Sequence, residues 1–171
     1  MGWDDRKDML LWIAKIIQKD PQAEIVLLGV SMGGATVMNT SGEKLPSNVK
    51  AIVEDCGFTS TGDVFAYQLK QLYGLPKFPV LYAANTVVKM RAGYDIFKSS
   101  AIKQVAKSKT PILFIHGDKD TFVPFKMLNP LYDAAKVDKE KLIVHGAGHG
   151  ESEKSRRSRP GGIPKYKGFP F

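Results

Sequence analysis

Residues 25–38 read Ile25-Val26-Leu27-Leu28-Gly29-Val30-Ser31-Met32-Gly33-Gly34-Ala35-Thr36-Val37-Met38. A four-residue apolar run enters a serine flanked by glycines at spacing two, and a helix-compatible stretch leaves it. The stretch reads as a buried strand, a sharp turn at Ser31 and a helix. So tight a turn puts the serine into strained backbone geometry. Its neighbours must then be nearly without side chains, hence glycine two residues before and two after. The turn lifts the hydroxyl above the sheet and aims the helix N-terminus at it, where free backbone N–H groups suit an oxyanion. The plain alternative is an ordinary Gly-Ser loop. The strand before and the helix after favour a nucleophile.

A serine hydroxyl is a poor nucleophile near neutrality and needs a histidine base oriented by a carboxylate. The chain has three histidines: His116, His145 and His149. Pro111-Ile112-Leu113-Phe114-Ile115 is an apolar run ending in His116-Gly117-Asp118-Lys119-Asp120-Thr121-Phe122-Val123-Pro124, and Lys141-Leu142-Ile143-Val144-His145 ends in Gly146-Ala147-Gly148-His149-Gly150. Each is a strand followed by a glycine-bearing loop with titratable residues. Parallel α/β sheets build their sites at that end of the strands. The order is serine, aspartate, histidine, as in α/β-hydrolases. His149, in the glycine-rich loop, takes the base role, and His116 and His145 read as structural strand ends.

These three motifs resemble the triad motifs of the α/β-hydrolase superfamily, most of all its bacterial esterase and prolyl-oligopeptidase-like branch. The resemblance covers about residues 3 to 153. It implies Ser31, Asp120 and His149 as the triad, because the family's acid stands three residues before Val-Pro, here Val123-Pro124. Asp118 is then expected to hydrogen-bond the loop backbone.

Composition narrows the alternatives. The 171 residues are 43% hydrophobic, enough for one domain with a real core. Cys56 is the single cysteine, which excludes an intramolecular disulfide and reads as a small buried residue. No His, Cys and carboxylate cluster has metal-ligand spacing, so neither metal nor cofactor is expected. The net charge is +8. Residues 152–171 hold six of the 25 Lys and Arg and one of the 17 acids, leaving 19 bases and 16 acids in the other 151 residues. The charge is mostly a tail, and no nucleic-acid partner is expected. No stretch is long enough to cross a membrane and the N-terminus is not a signal peptide, so no membrane partner is expected and the chain reads as soluble and cytoplasmic.

Asp4 and Asp5 can cap a helix to about Lys19 whose Met9, Trp12, Ile13, Ile16 and Ile17 form one sheet-facing stripe. Strands are expected near 25–29, 49–55, 111–116 and 141–145, parallel and joined by right-handed helical crossovers. About 55 residues separate the second and third strands, and Val64 to Tyr73 and Pro79 to Met90 read as helices there. The expected architecture is a truncated α/β-hydrolase domain over 1–151, with a small helical cap inserted at about 58–98 over Ser31. The remainder, 152–171, is expected to be disordered or vector-derived.

Two departures from the family stand out. The chain opens at the helix before the nucleophile strand, so the resemblance implies a truncation that removes the loop supplying one of two oxyanion donors. The Met32 N–H is the donor that can be identified. Removing one donor typically costs about 2.7–4 kcal/mol of transition-state stabilisation. The truncation would also bare the 25–29 strand as an apolar edge, which points to a homo-oligomer.

The functional expectation is a serine carboxylesterase acting on small acyl esters, with Phe58 and Phe122 lining the acyl pocket. The alternatives are a catalytically impaired oligomerising fragment of a larger hydrolase, or a peptidase or acyltransferase using the same triad.

Overall fold

The computed structural model describes residues 2–152. Helix α1 (Asp5–Lys19) leads into β1 (Ile25–Val30), α2 (Met32–Ser41) and β2 (Val49–Asp55). Helices α3 (Thr61–Tyr73), α4 (Val80–Ala92) and the short α5 (Ala101–Val105) come next. Strand β3 (Ile112–Gly117), a 3₁₀ turn (Phe125–Met127), α6 (Leu128–Ala134) and β4 (Lys139–Val144) complete the order. The sheet runs β1-β2-β3-β4 with every pair parallel. It is an α/β fold, a four-stranded parallel sheet flanked by helices.

The two-residue period of the strands decides what each face does. Ile25 and Leu27 of β1, Val49 and Ile52 of β2, and Ile112 and Phe114 of β3 share one face, the β2 pair spaced by three because the register with β1 shifts at Lys50. There they pack with Val37 and Met38 of α2, Ile13 of α1, Val105 of α5 and Leu128 and Leu131 of α6. The other face presents Ala51, Val53 and Leu113, whose packing partners Ile115 and Leu142 are also strand residues. Strand β1 sits at the edge. Its Ile25 and Leu27 are buried, while Val26, Leu28 and Val30 are 40%, 67% and 45% exposed.

The expected stripe of α1 is too wide. Ile13 is buried and Met9 and Ile17 pack against the core, but Trp12 is 61% exposed and Ile16 is 42% exposed. Positions 9, 13 and 17 follow the four-residue ridge that meets α2. Trp12 and Ile16 lie on its flank, where Lys15 covers the Trp12 ring with its Nζ 5.3 Å from the centroid. Asp4 sits at the helix start without a side-chain capping bond.

The long connection does form helices. Ser60 caps α3 by accepting from the Asp63 N–H, and Gly74, at φ 65°, ends it in the left-handed conformation a β-carbon disfavours. The basic tail expected over 152–171 lies outside the described residues from 153 onward. Ser152 itself is buried, its hydroxyl donating to Asp55 Oδ1 at 2.8 Å.

Candidate active site

Ser31 lies between β1 and α2 with φ 56° and ψ −113°, a conformation costly for a residue with a side chain. Two main-chain bonds hold it there: its N–H donates to the Asp55 carbonyl at 2.8 Å, and its carbonyl accepts the Ala35 N–H at 3.0 Å. The flanking glycines differ in purpose. A β-carbon on Gly29 would stand 2.1 Å from the Gly33 carbonyl oxygen, whereas one on Gly33 would meet nothing within 4 Å. Only the first glycine is therefore demanded by its own surroundings. The Met32 N–H follows Ser31 directly and opens α2, as the turn requires.

Strands β3 and β4 deliver the other two groups to the same end of the sheet. His149 Nε2 lies 2.8 Å from Ser31 Oγ, and its Nδ1 lies 2.8 Å from Asp120 Oδ2. The second carboxylate oxygen, Oδ1, accepts the backbone N–H groups of Phe122 and Val123, each at 2.9 Å. Burial pushes the Asp120 carboxyl up, but contacts with His116 and His149 and the Val123 N–H outweigh it and hold the group below its ordinary value. Asp118 points elsewhere. It takes the Gly146 N–H at 2.7 Å and faces His145 Nδ1 at 2.8 Å, tying the loop after β3 to the loop after β4. His145, read from sequence as a structural strand end, has Asp118 as its partner.

His116 is closer to the site than its sequence position suggests. Fully buried at the end of β3, it has Nε2 2.9 Å from the Val123 carbonyl and 3.4 Å from Asp120 Oδ2. Burial lowers its tendency to hold a proton, yet the Asp120 and Val123 contacts and the Glu54 charge prevail and raise it. Glu54, also fully buried, was missed by sequence reasoning. Its Oε2 accepts the Gly57 N–H at 2.9 Å, and burial pushes its carboxyl up to about 8. The available signal was a charge standing inside the otherwise apolar run Ala51-Ile52-Val53-Glu54. Two buried polar atoms nearby, Glu54 Oε1 and His116 Nδ1, have no hydrogen-bond partner among the described residues.

Cys56, Asp120 and His149 offer ligand atoms within 4.8 Å of one another, a grouping that sequence spacing could not reveal. Two of the three are already committed to each other. Burial and the neighbouring Asp55 push the Cys56 thiol up to about 12, leaving it protonated at neutral pH.

A cleft of about 270 Å³ opens over Ser31. Both expected pocket residues line it: Phe58 is buried, and Phe122 is 52% exposed with its ring 4.8 Å from that of His149. Val64, Phe65 and Leu72 of α3 form another wall, and among the described residues none that lines the cleft is charged. Tyr67 and Gln68 strap α3 to the acid loop, donating to the carbonyls of Thr121 and Phe122.

The sequence and the fold have counterparts. YqkD of Bacillus subtilis, an uncharacterised protein, is 30% identical over 129 residues, which are 75% of this chain and 42% of YqkD. The chain thus spans less than half the length of that relative. Among solved structures, acylaminoacyl peptidase of Pyrococcus horikoshii superposes with a TM-score of 0.67 at 19% identity, covering 90% of this chain and 25% of the peptidase. The esterase domain of a Rhodothermus marinus protein gives 0.60 at 21% identity, covering 90% of this chain and 62% of that one. At such identities the superpositions speak for the fold alone. The family model of the prolyl oligopeptidases matches residues 1–160, nearly the whole sequence, and the chain belongs to that family of α/β-hydrolases.

Proposed function

We propose that the chain is a serine carboxylesterase that hydrolyses small acyl esters through an acyl-enzyme on Ser31. The observation that carries this reading is the unbroken contact series from Ser31 Oγ through His149 to Asp120, set at the floor of an uncharged cleft. In the proposed reaction Ser31 Oγ attacks the ester carbonyl and its proton passes to His149 Nε2. The negative charge that develops on the carbonyl oxygen falls to the Met32 N–H. His149 returns the proton to the departing alkoxide as the carbon–oxygen bond breaks. Water, deprotonated by the same nitrogen, then releases the acid and restores Ser31. Asp120 holds the imidazole in the required tautomer. The α3–α4 segment acts as a small cap, its apolar wall receiving the acyl group.

The test is hydrolysis of a chromogenic ester series of increasing acyl length, run beside an aminoacyl anilide and beside Ser31→Ala. Ester turnover lost in Ser31→Ala, with little anilide turnover, supports the esterase. Preferred anilide cleavage makes the chain a peptidase, and no turnover of either leaves it an impaired hydrolase fragment.

We propose in addition that the chain self-associates through β1. The exposed Val26, Leu28 and Val30 on an edge strand are the support, since such an edge pairs readily with another chain.

A further inference from the structure

Residues 64–94, which span most of α3, the turn after it and α4, carry Lys70, Lys77, Lys89 and Arg91 and not one Asp or Glu. The acids at its borders are engaged: Asp63 Oδ2 accepts the Thr59 hydroxyl at 2.8 Å, and Asp95 lies 2.6 Å from Lys89 Nζ. The same segment bares an apolar surface. Leu72, Tyr73, Leu75 and Phe78 are 68%, 71%, 42% and 73% exposed, all within seven residues at the turn, where Lys70 precedes them and Lys77 adjoins Phe78. Phe78 continues the surface into α4, its ring 5.7 Å from that of Tyr82. Leu72 joins this tip to the Ser31 cleft, which it also lines.

Exposed apolar side chains at a turn, tyrosines beside them and flanking lysines form the composition that seats a protein in the headgroup region of a bilayer. Charge decides between the occupants. Lys89 is paired with Asp95, but a second copy meeting the turn face to face would still set Lys70 and Lys77 against the same two lysines, with no acid in residues 64–94 to meet them, and like charges brought together across an interface oppose association. An anionic lipid surface supplies the complement.

We propose that the α3–α4 turn docks on anionic lipid bilayers, with Leu75 and Phe78 entering the headgroup–acyl boundary and Lys70 and Lys77 on the lipid phosphates. Leu72 then lies where the docked surface meets the cleft, and esters partitioned into the bilayer become the substrate class of Ser31. This last clause rests on the proposed esterase reading. The docking departs from the expectation of no membrane partner, which considered only segments long enough to cross.

The experiment is co-sedimentation of the full chain with vesicles of equal parts phosphatidylglycerol and phosphatidylcholine, and with pure phosphatidylcholine vesicles. Binding to the anionic vesicles alone is expected, weakened by added salt. Each cation removed should weaken it about fivefold, so Lys70→Gln with Lys77→Gln should lower it well over tenfold. Phe78→Asp should abolish it while leaving hydrolysis of a soluble short ester and the circular dichroism spectrum unchanged. The lysine variants and the salt series keep the test valid if Phe78→Asp fails to fold. Equal binding to both vesicles, binding that survives the lysine changes, or no binding at all overturns the docking. So does light scattering in which Phe78→Asp dissolves an oligomer, which would assign the surface to a second copy. Vesicle binding without Ser31-dependent turnover would sink the esterase reading and leave the docking intact; soluble-ester turnover without vesicle binding does the reverse.

Discussion

His116 and Asp120 face each other across 3.4 Å with both side chains sealed from solvent, and the carboxylate oxygen they share is the one His149 contacts at 2.8 Å. The acid loop is therefore gripped from two sides. One imidazole belongs to the proposed reacting series, and the other anchors the loop through the Val123 carbonyl. A leucine at 116 would leave that carbonyl without its partner and Asp120 less firmly placed. Losing a buried partner costs about 1–3 kcal/mol of stability. We expect His116→Leu to lower the thermal midpoint accordingly and to reduce kcat with little change in KM. An unchanged kcat would deny His116 any positioning role.

The two aspartates should separate cleanly. Asp120→Asn replaces the oxygen facing His149 Nδ1 with a group that favours the wrong tautomer, and kcat for a chromogenic ester should fall on the order of 10⁴-fold. Asp118→Asn disturbs only the tie to His145 and Gly146 and should lose far less. The opposite ranking would move the acid to Asp118.

Glu54 gives the fold a pH dependence of known sign. Its carboxyl is held at about 8 in the folded chain against an ordinary 4.5. Between those values the unfolded chain has released a proton that the folded chain keeps, so stability is greatest below the unfolded value and falls as pH rises through the folded one. Glu54→Gln retains an acceptor for the Gly57 N–H and cannot titrate. Thermal midpoints measured at about pH 5 and pH 8.5 should differ less in the variant than in the parent. An equal difference would mean that Glu54 is ionised throughout.

Gly29 and Gly33 look equivalent in the motif and should not behave so. Gly29→Ala drives a methyl into the Gly33 carbonyl and should prevent soluble folding. Gly33→Ala enters open space at the start of α2, where alanine is the better helix former by about 1 kcal/mol, and should leave stability unchanged or improved. Circular dichroism melts of the two variants decide it.

The β1 edge makes its own forecast. Leu28 is exposed, so Leu28→Asp should leave the folded chain intact while lowering its mass in light scattering to that of a monomer. A parent chain that is already monomeric at micromolar concentration would remove the basis for self-association.

Much of this architecture was legible because the strands announce themselves by apolar runs and the turns by glycine. All four strands fall within two residues of their expected bounds. Ser31, Asp120 and His149 were legible through motif and order, and their convergence follows from three parallel strands ending on one side. What escaped was what depends on depth rather than pattern. Trp12 and Ile16 satisfy a helical stripe, but the sequence does not say how wide a strip the neighbouring helix covers. Glu54 and His116 are buried together only because β2 and β3 are adjacent, a tertiary fact. The exposed tip of the α3–α4 turn reads in sequence as two amphipathic helices and a loop, and only the packing shows which side chains lack cover.

Ser31 and His149 are 118 residues apart in the chain, and one stands on the edge strand while the other follows the last strand to join the sheet. Their meeting at 2.8 Å closes a loop of more than a hundred residues, so it carries a large entropy of closure and depends on the intervening pairings being in register. The proposed chemistry at Ser31 would thus report on folding itself. In refolding from denaturant, catalytic competence should return only with the slowest phase, after the local helices have re-formed, and covalent labelling of Ser31 by an active-site phosphonate would time the docking of β4 onto β3.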